Sequence, residues 1–332
     1  TDNVPRLDYT DSSCPALLLE PQRTNLVPYS EYLQSWIIQA GTSVFQNTTE
    51  TLSPEGFYNA AKVTSNGANG LFPASVSGAG GVNTKSVYLK GISGGEQVYI
   101  KDPYETIASK LCTLTTEWQR FEMTETQASS MSIWISNIPS SGIYIYGAQL
   151  EQGSYATSYI PTYGTSVTRN GEVCDGAGNA ATFNDSEGVL YAEISALADD
   201  ETYRILSIND GTRNERVYMQ YTSTTNEISV VVKTGNSTQA NISHTLTDET
   251  QNAKVAVRYK VNDFALYING SQIGTDTSGN TPVGLDNFSF DQGNGANNFY
   301  GNVKQILVFN TALSNADLEI LTGTYYESYS AM

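Results

Sequence analysis

Histidine is nearly absent: one occurs in 332 residues, His244, within Asn241-Ile242-Ser243-His244-Thr245. A single imidazole excludes multi-histidine zinc sites and argues against a Ser-His-Asp triad. A lone histidine of this kind reads as a surface or hydrogen-bonded structural residue. Cysteine is scarce too. Cys14, Cys112 and Cys174 are odd in number and widely spaced, which fits neither a disulfide framework nor a zinc pattern and predicts free, mostly buried thiols. Basic residues are half as many as acidic ones, 17 against 34, for a net charge of −17. Such a surface repels phosphate backbones and anionic lipid, so neither nucleic-acid binding nor membrane insertion is expected. No apolar run approaches the roughly 18 residues that span a bilayer. No secretory signal opens the chain, and Thr1 is not an initiator methionine, so a longer polypeptide is expected, with N-terminal sequence missing here.

What the chain does contain is tyrosine, glycine and short alternating runs. The 22 tyrosines and 28 glycines suit an all-β protein with many turns, and the length suits two domains. Pro5, Pro15, Pro21 and Pro28 deny long strands to residues 1–28, which read as an extended N-terminal arm or linker. From 29 to 168 the period is two. Ser86-Val87-Tyr88-Leu89-Lys90 and Gln97-Val98-Tyr99-Ile100-Lys101 flank the turn from Gly91 to Gly95 and predict a hairpin; 130–136 and 143–146 alternate likewise. From 169 to 332 a second series predicts strands at 189–194, 204–208, 216–221, 228–232, 253–259, 264–268, 287–290 and 303–309. Ser314-Asn315-Ala316-Asp317 predicts one capped helix before Gly323. The fold class is therefore all-β: two β-sandwich (jelly-roll) domains in tandem.

Strand parity sorts the aromatic rings of the first domain. Val87, Leu89, Val98, Ile100, Ile133, Ile135, Ile143 and Ile145 define a core face, which sends Tyr88, Tyr99, Trp134, Tyr144 and Tyr146 outward. Those five rings, with Trp36 in a loop-like setting, are the candidate carbohydrate site. The alternative is that they pack against another chain or a loop. Trp118 reads as core. In the second domain Asn209, Asp210, Asn214 and Glu215, and separately Asp286, Asn287 and Asp291, offer clustered oxygens that a structural calcium would favour. Turn chemistry explains the same residues. No other cofactor is required.

Several phrases resemble known families. Leu19-Glu20-Pro21-Gln22-Arg23-Thr24-Asn25-Leu26 resembles a phrase of phage tail and virion proteins that precedes a carbohydrate-binding jelly roll. Gly147-Ala148-Gln149-Leu150-Glu151-Gln152-Gly153, continued by Thr157-Ser158-Tyr159-Ile160-Pro161-Thr162, resembles its closing strand. Thr116-Glu117-Trp118-Gln119-Arg120-Phe121 is similar to the Trp-bearing strand of family 4/9/22-type carbohydrate-binding modules. Leu266-Tyr267-Ile268-Asn269-Gly270 and the run from Gly301 to Phe309 resemble concanavalin A-like, laminin-G-like domains. The resemblance implies a non-enzymatic tail fibre or receptor-binding appendage on a virion. It would be a homotrimer that recognises a host-surface polysaccharide or glycoconjugate alongside other virion proteins. Two alternatives stay open: a polysaccharide depolymerase or its binding region, and a purely structural fibre or capsid-decoration segment. Against an enzyme, no glutamate begins the Glu-x-Asp-x-x-Glu strand of concanavalin-like glycosidases, and His244 lacks the flanking residues of alginate-lyase-like sandwiches.

Overall fold

The computed structural model describes residues 4–10, 13–67, 69–74, 76–77, 81–102, 109–127 and 130–323. The chain divides into two compact units, Gln22–Asn170, and Thr1–Pro21 together with Gly171–Met332. The N-terminal stretch expected to be an arm is thus built into sheet. Arg6–Asp8 pairs with Ala16–Leu19, which pairs with Gly301–Phe309. Prolines here limit strand length to three or four residues; they do not prevent pairing at a sheet edge.

In the unit Gln22–Asn170, two five-stranded sheets enclose the core. One runs in the order Gln119–Gln127, Gly81–Gly91, Ile143–Gln152, Ala61–Ser65, Thr42–Phe45; the other runs Ser109–Thr113, Gln97–Lys101, Trp134–Ser136, Leu71–Phe72, Ile37–Ile38. They are called here the Tyr146 sheet and the Trp134 sheet. All eight residues that parity assigned to the core are at most 1% exposed. The expected hairpin does not form. Gly81–Gly91 pairs with Gln119–Gln127 and Ile143–Gln152, whereas Gln97–Lys101 pairs with Ser109–Thr113 and Trp134–Ser136. The glycine turn is therefore an arch from one sheet to the other. Parity is blind to this distinction, because both arrangements bury the same residues.

A bulge between Tyr146 and Gln149 resets the parity of the strand Ile143–Gln152. Gly147 takes φ +61°, and a Cβ there would meet the Tyr88 and Tyr159 rings at 3.2 and 3.3 Å. Ala148 and Leu150 consequently join Ile143 and Ile145 in the core, and Gln149 and Glu151 turn outward. Lys85 enters the same sandwich fully buried and binds both Asp102 (3.2 Å) and Glu125. Asp102 also accepts the Ser132 backbone N–H (2.9 Å).

The other unit is also a sandwich of two antiparallel sheets. Its seven-stranded sheet runs Arg6–Asp8, Ala16–Leu19, Gly301–Phe309, Glu187–Ala196, Ala253–Lys260, Phe264–Ile268, Ser271–Asp276. Its five-stranded sheet runs Ser237–Thr245, Glu227–Thr234, Arg216–Tyr221, Arg204–Asn209, Asn287–Ser289. Leu190, Val255, Val257 and Leu266 meet Leu206, Val217, Met219 and Val230 between them. The far side of the seven-stranded sheet carries Val189, Tyr191, Ala256, Ala265 and Tyr267, covered by Leu318 of the helix Asn315–Thr322. Ser314 caps that helix as expected, accepting from the Asp317 N–H. Two strands lack the apolar alternation that announces the others: Ser237–Thr245 and Ser271–Asp276 are edge strands and largely polar, as edges tend to be. Of the cysteines, only Cys112 is buried; Cys14 and Cys174 are exposed, contrary to expectation.

Two stability predictions follow from buried charge. Lys85→Ala strips buried Asp102 and Glu125 of their shared cation and should cost about 3–5 kcal/mol in denaturant unfolding. Glu249 is buried beside Arg204 (3.8 Å). Burial foremost, and then Asp199, raises its carboxyl from the ordinary 4.5 to about 7. The native state then holds a proton that the unfolded chain has already released, so this group's contribution to stability falls as pH rises from about 4.5 to 7. Glu249→Gln should flatten that part of the stability–pH curve; an unchanged slope across the window would show that another group sets it.

Candidate functional site

The structure separates the rings selected by parity. Tyr88, Tyr144 and Tyr146 lie on the outer face of the Tyr146 sheet, and Tyr99 and Trp134 on the outer face of the Trp134 sheet. Trp36 belongs to neither. It is a core residue, 5% exposed, whose Nε1 donates to the Tyr29 carbonyl at 2.8 Å.

The first of these faces is closed by the chain itself. Tyr146, 1% exposed, packs T-shaped against Tyr159 at 5.6 Å and Trp118 at 6.5 Å. Tyr88 completes the cluster at 6.2 Å from Tyr146 and lies under the Arg120 guanidinium. Trp118 is thus half-buried outside the sheet, rather than in the inter-sheet core, and its Nε1 donates to the Leu52 carbonyl at 2.7 Å. Tyr144 donates to Glu50 Oε2 (2.9 Å), which also receives Lys62. Burial, and secondarily Glu50, pushes the Tyr144 phenol up to about 12. These tyrosines are therefore packing for the chain's own loops, and Tyr144 and Tyr146 leave the list of rings open to a sugar.

The face of the Trp134 sheet is different. Register places Ser109, Lys101, Trp134, Phe72 and Ile37 in one row across its five strands, and Leu111, Tyr99 and Ser136 in the next. Trp134 meets Phe72 edge-on at 6.1 Å, and Lys101 Nζ stands 3.9 Å above the Trp134 ring. Trp134, Phe72, Tyr99 and Lys101 are half-exposed, and Ile37 and Leu111 are exposed. Among the described residues Lys101 makes no ion pair. Two polar atoms beneath this face, Trp134 Nε1 and Ser136 Oγ, are buried without a hydrogen-bond partner among the described residues. Leaving such groups unmet costs on the order of 1–3 kcal/mol each. Half-exposed aromatic rings beside an ammonium group are the chemistry that takes a sugar ring: C–H faces on the aromatics, a hydroxyl on the Lys101 Nζ. Parity found Tyr99 and Trp134. It missed Phe72 and Lys101, which only the cross-strand register brings beside them.

The calcium candidates gather at one end of the five-stranded sheet of the other unit, but their oxygens serve the chain's own turns. Asp210 Oδ1 accepts from the N–H and Oγ1 of Thr212. Glu215 accepts from Thr234 Oγ1 and the N–H groups of Gly235 and Val283. Asp291 takes Ser289 Oγ and the Gly293 N–H. Asn209 is buried and donates to Ser207 and Ser289; Asn214 and Asp286 are exposed. Among the described residues no three acidic, histidine or cysteine side chains converge as a metal group would require. His244 lies half-buried on an edge strand, opposite Ile228. A cleft of about 240 Å³ in this unit is lined by Asp8, Asn252, Asn302 and Lys304 among others, with no aromatic ring.

Residues 175–319 match the family described as the Concanavalin A-like lectin/glucanases superfamily. No curated protein matches the chain. Among solved structures it is similar to the CBM40 module of the Ruminococcus gnavus IT-sialidase, at 18% identity and TM-score 0.37, over 46% of this chain and 96% of that one. It is also similar to a SAP-like pentraxin from Limulus polyphemus, at 14% identity and TM-score 0.36, over 46% and 75%. The binding domain of botulinum neurotoxin serotype D matches at 13% identity and TM-score 0.35, over 42% and 36%.

The two aromatic faces predict opposite mutational behaviour. Tyr146→Ala should cost roughly 3–5 kcal/mol of stability, as large buried aromatics do. Tyr99→Ala should change stability by less than about 1 kcal/mol. Equal losses in chemical denaturation would show that both faces are structural.

Proposed function

We propose that this chain is a non-enzymatic glycan-binding protein, a bacteriophage-type tail fibre or receptor-binding appendage carried on a virion, and that the outer face of the Trp134 sheet holds the sugar. The observation that carries the reading is the half-exposed row Lys101, Trp134, Phe72, with Tyr99 in the next row of the same face. Lys101, which forms no ion pair among the described residues, can turn from the indole and donate to a hydroxyl. The concanavalin A-like family match to the other unit agrees with a glycan-binding role, and the tail-protein phrases noted in the sequence support the virion assignment. Against catalysis stand the placement of His244 opposite an isoleucine and the burial of Glu249 against Arg204.

An appendage of this kind acts as a homotrimer, with weak single sites made strong by avidity. One aromatic contact is worth about 1 kcal/mol, so Trp134→Ala should weaken a single site by roughly five- to tenfold and abolish adsorption of the multivalent form to host cells. Binding to a glycan array and sedimentation of the same variant check this together. Normal adsorption, or dissociation of the oligomer, would show that Trp134 does something other than hold sugar. Release of reducing ends from a surface polysaccharide by the wild-type protein would favour the depolymerase reading instead.

A further inference from the structure

Strand alternation places two opposite charges at core positions of the jelly-roll unit. In the strand Gly81–Gly91, Lys85 shares the inward row with Val87 and Leu89, and its cross-strand partners are Met123 and Leu150, both core residues. In the opposite sheet, Asp102 follows Val98 and Ile100 at the same alternation. Lys85 is 0% exposed and Asp102 1%. An ammonium and a carboxylate from opposite sheets therefore meet where water hydrates neither. Glu125 shares the inward parity of Met123 and joins them. An apolar side chain at position 85 would pack against the same neighbours without the cost of burying charge, so stability alone does not account for the lysine.

The three groups differ in setting. Lys85 Nζ lies 3.2 Å from Asp102 Oδ2 and touches Glu125 Oε1. Asp102 Oδ2 also accepts the Ser132 backbone N–H at 2.9 Å. A fixed donor thus bears on the oxygen that would gain charge if its carboxyl carbon were attacked, as donors do in oxyanion holes. Glu125 has an edge to solvent, 9% of its side chain against 1% for Asp102 and none for Lys85. An amine, a carboxyl held beside a backbone donor, and a second carboxyl placed to move protons are the parts of an amide-forming reaction.

We propose that Lys85 and Asp102 condense into an intramolecular isopeptide bond, with Glu125 as the proton carrier. Glu125 takes a proton from Nζ, and the amine adds to Asp102 Cγ while the Ser132 N–H supports Oδ2. Glu125 then relays two Nζ protons in turn to Oδ1, which leaves as water. One C–N bond forms and one C–O bond breaks. An ammonium and a carboxylate become a neutral amide and water, and nothing is oxidised or reduced. The product removes a buried charge pair and with it the desolvation cost. The bond fastens the strand that carries Tyr99 and Lys101 to the Tyr146 sheet, in a unit whose single cysteine, Cys112, leaves no disulfide within it. It is independent of the glycan-binding reading.

The test is the intact mass of the purified full chain, measured under denaturing conditions after incubation in native buffer. The wild type is expected to be lighter than its sequence by one water. Digestion and tandem mass spectrometry should then yield a branched peptide joining the segments that hold Lys85 and Asp102. Lys85→Arg keeps a cation that does not condense, and Glu125→Gln keeps the shape of the side chain without its basic oxygen; both should show the full sequence mass. Both wild-type readouts stand even where a variant fails to fold. The proposal is overturned by a wild-type chain at its full sequence mass, by a water loss that persists in Lys85→Arg, or by a branch on any acid other than Asp102. Condensation as complete and as fast in Glu125→Gln as in the wild type overturns the role given to Glu125.

Discussion

The carboxamide of Asn25 holds the jelly-roll unit closed. Its Nδ2 donates to the carbonyls of Ala148 and Ile160, and its Oδ1 accepts the N–H groups of Val27 and Leu150. Four backbone groups from three separate stretches are thereby satisfied by one fully buried side chain. Gln149 and Glu151, turned outward by the bulge at Gly147, extend the clasp. Gln149 accepts the Ile160 N–H, and Glu151 takes both the N–H and the hydroxyl of Thr157. Irregular backbone cannot be buried unless each polar group finds a partner. This network supplies those partners where the segment 155–163 lies over the sheet, and that segment brings Tyr159 against Tyr146. The burial of the tyrosine cluster thus depends on the clasp.

With that face shut, the Trp134 sheet of the jelly roll keeps half-exposed rings on its outer face, whereas the outer face of the five-stranded sheet in the other unit is buried at Ile205, Arg216, Tyr218 and Val231. The first is apolar and aromatic, with unmet polar atoms beneath. The second carries Arg216 and Lys233 as cross-strand partners, with Asp291 close enough to act on Arg216. Both faces break a local rule, an unsatisfied polar group in one and a like-charge cross-strand pair in the other. Such conflicts are tolerated where other contacts of the fold offset them.

Much of the first unit was legible from residues. Alternation identified Val87, Leu89, Val98, Ile100 and the four isoleucines as core because burial on one side imposes period two. The phrases from Leu19 to Leu26 and from Gly147 to Thr162 stood out in the sequence, and their polar residues prove to be the clasp and not a sugar site. The strands Ser237–Thr245 and Ser271–Asp276 escaped notice because an edge has no second neighbour and need not be apolar. Trp36, a candidate sugar ring by sequence, lies in the core, and Trp118, expected in the core, packs half-buried outside it, since neither lies within an alternating run that could orient it.

Local chemistry is enough to say which side chains of a strand go inward, where a helix is capped, and that one imidazole cannot supply a multi-histidine site. Those properties depend on neighbours within a few residues. Whether an outward ring stays open is another matter. Tyr99 and Tyr146 are equivalent by parity, yet one is half-exposed and the other sealed, because the arch after Gly91 puts their strands in different sheets and residues from distant parts of the chain cover only one of them. Arg216 and Lys233 face each other for the same kind of reason: register between strands, which follows from packing of the whole sheet, brings together charges that nothing in their own sequence context relates.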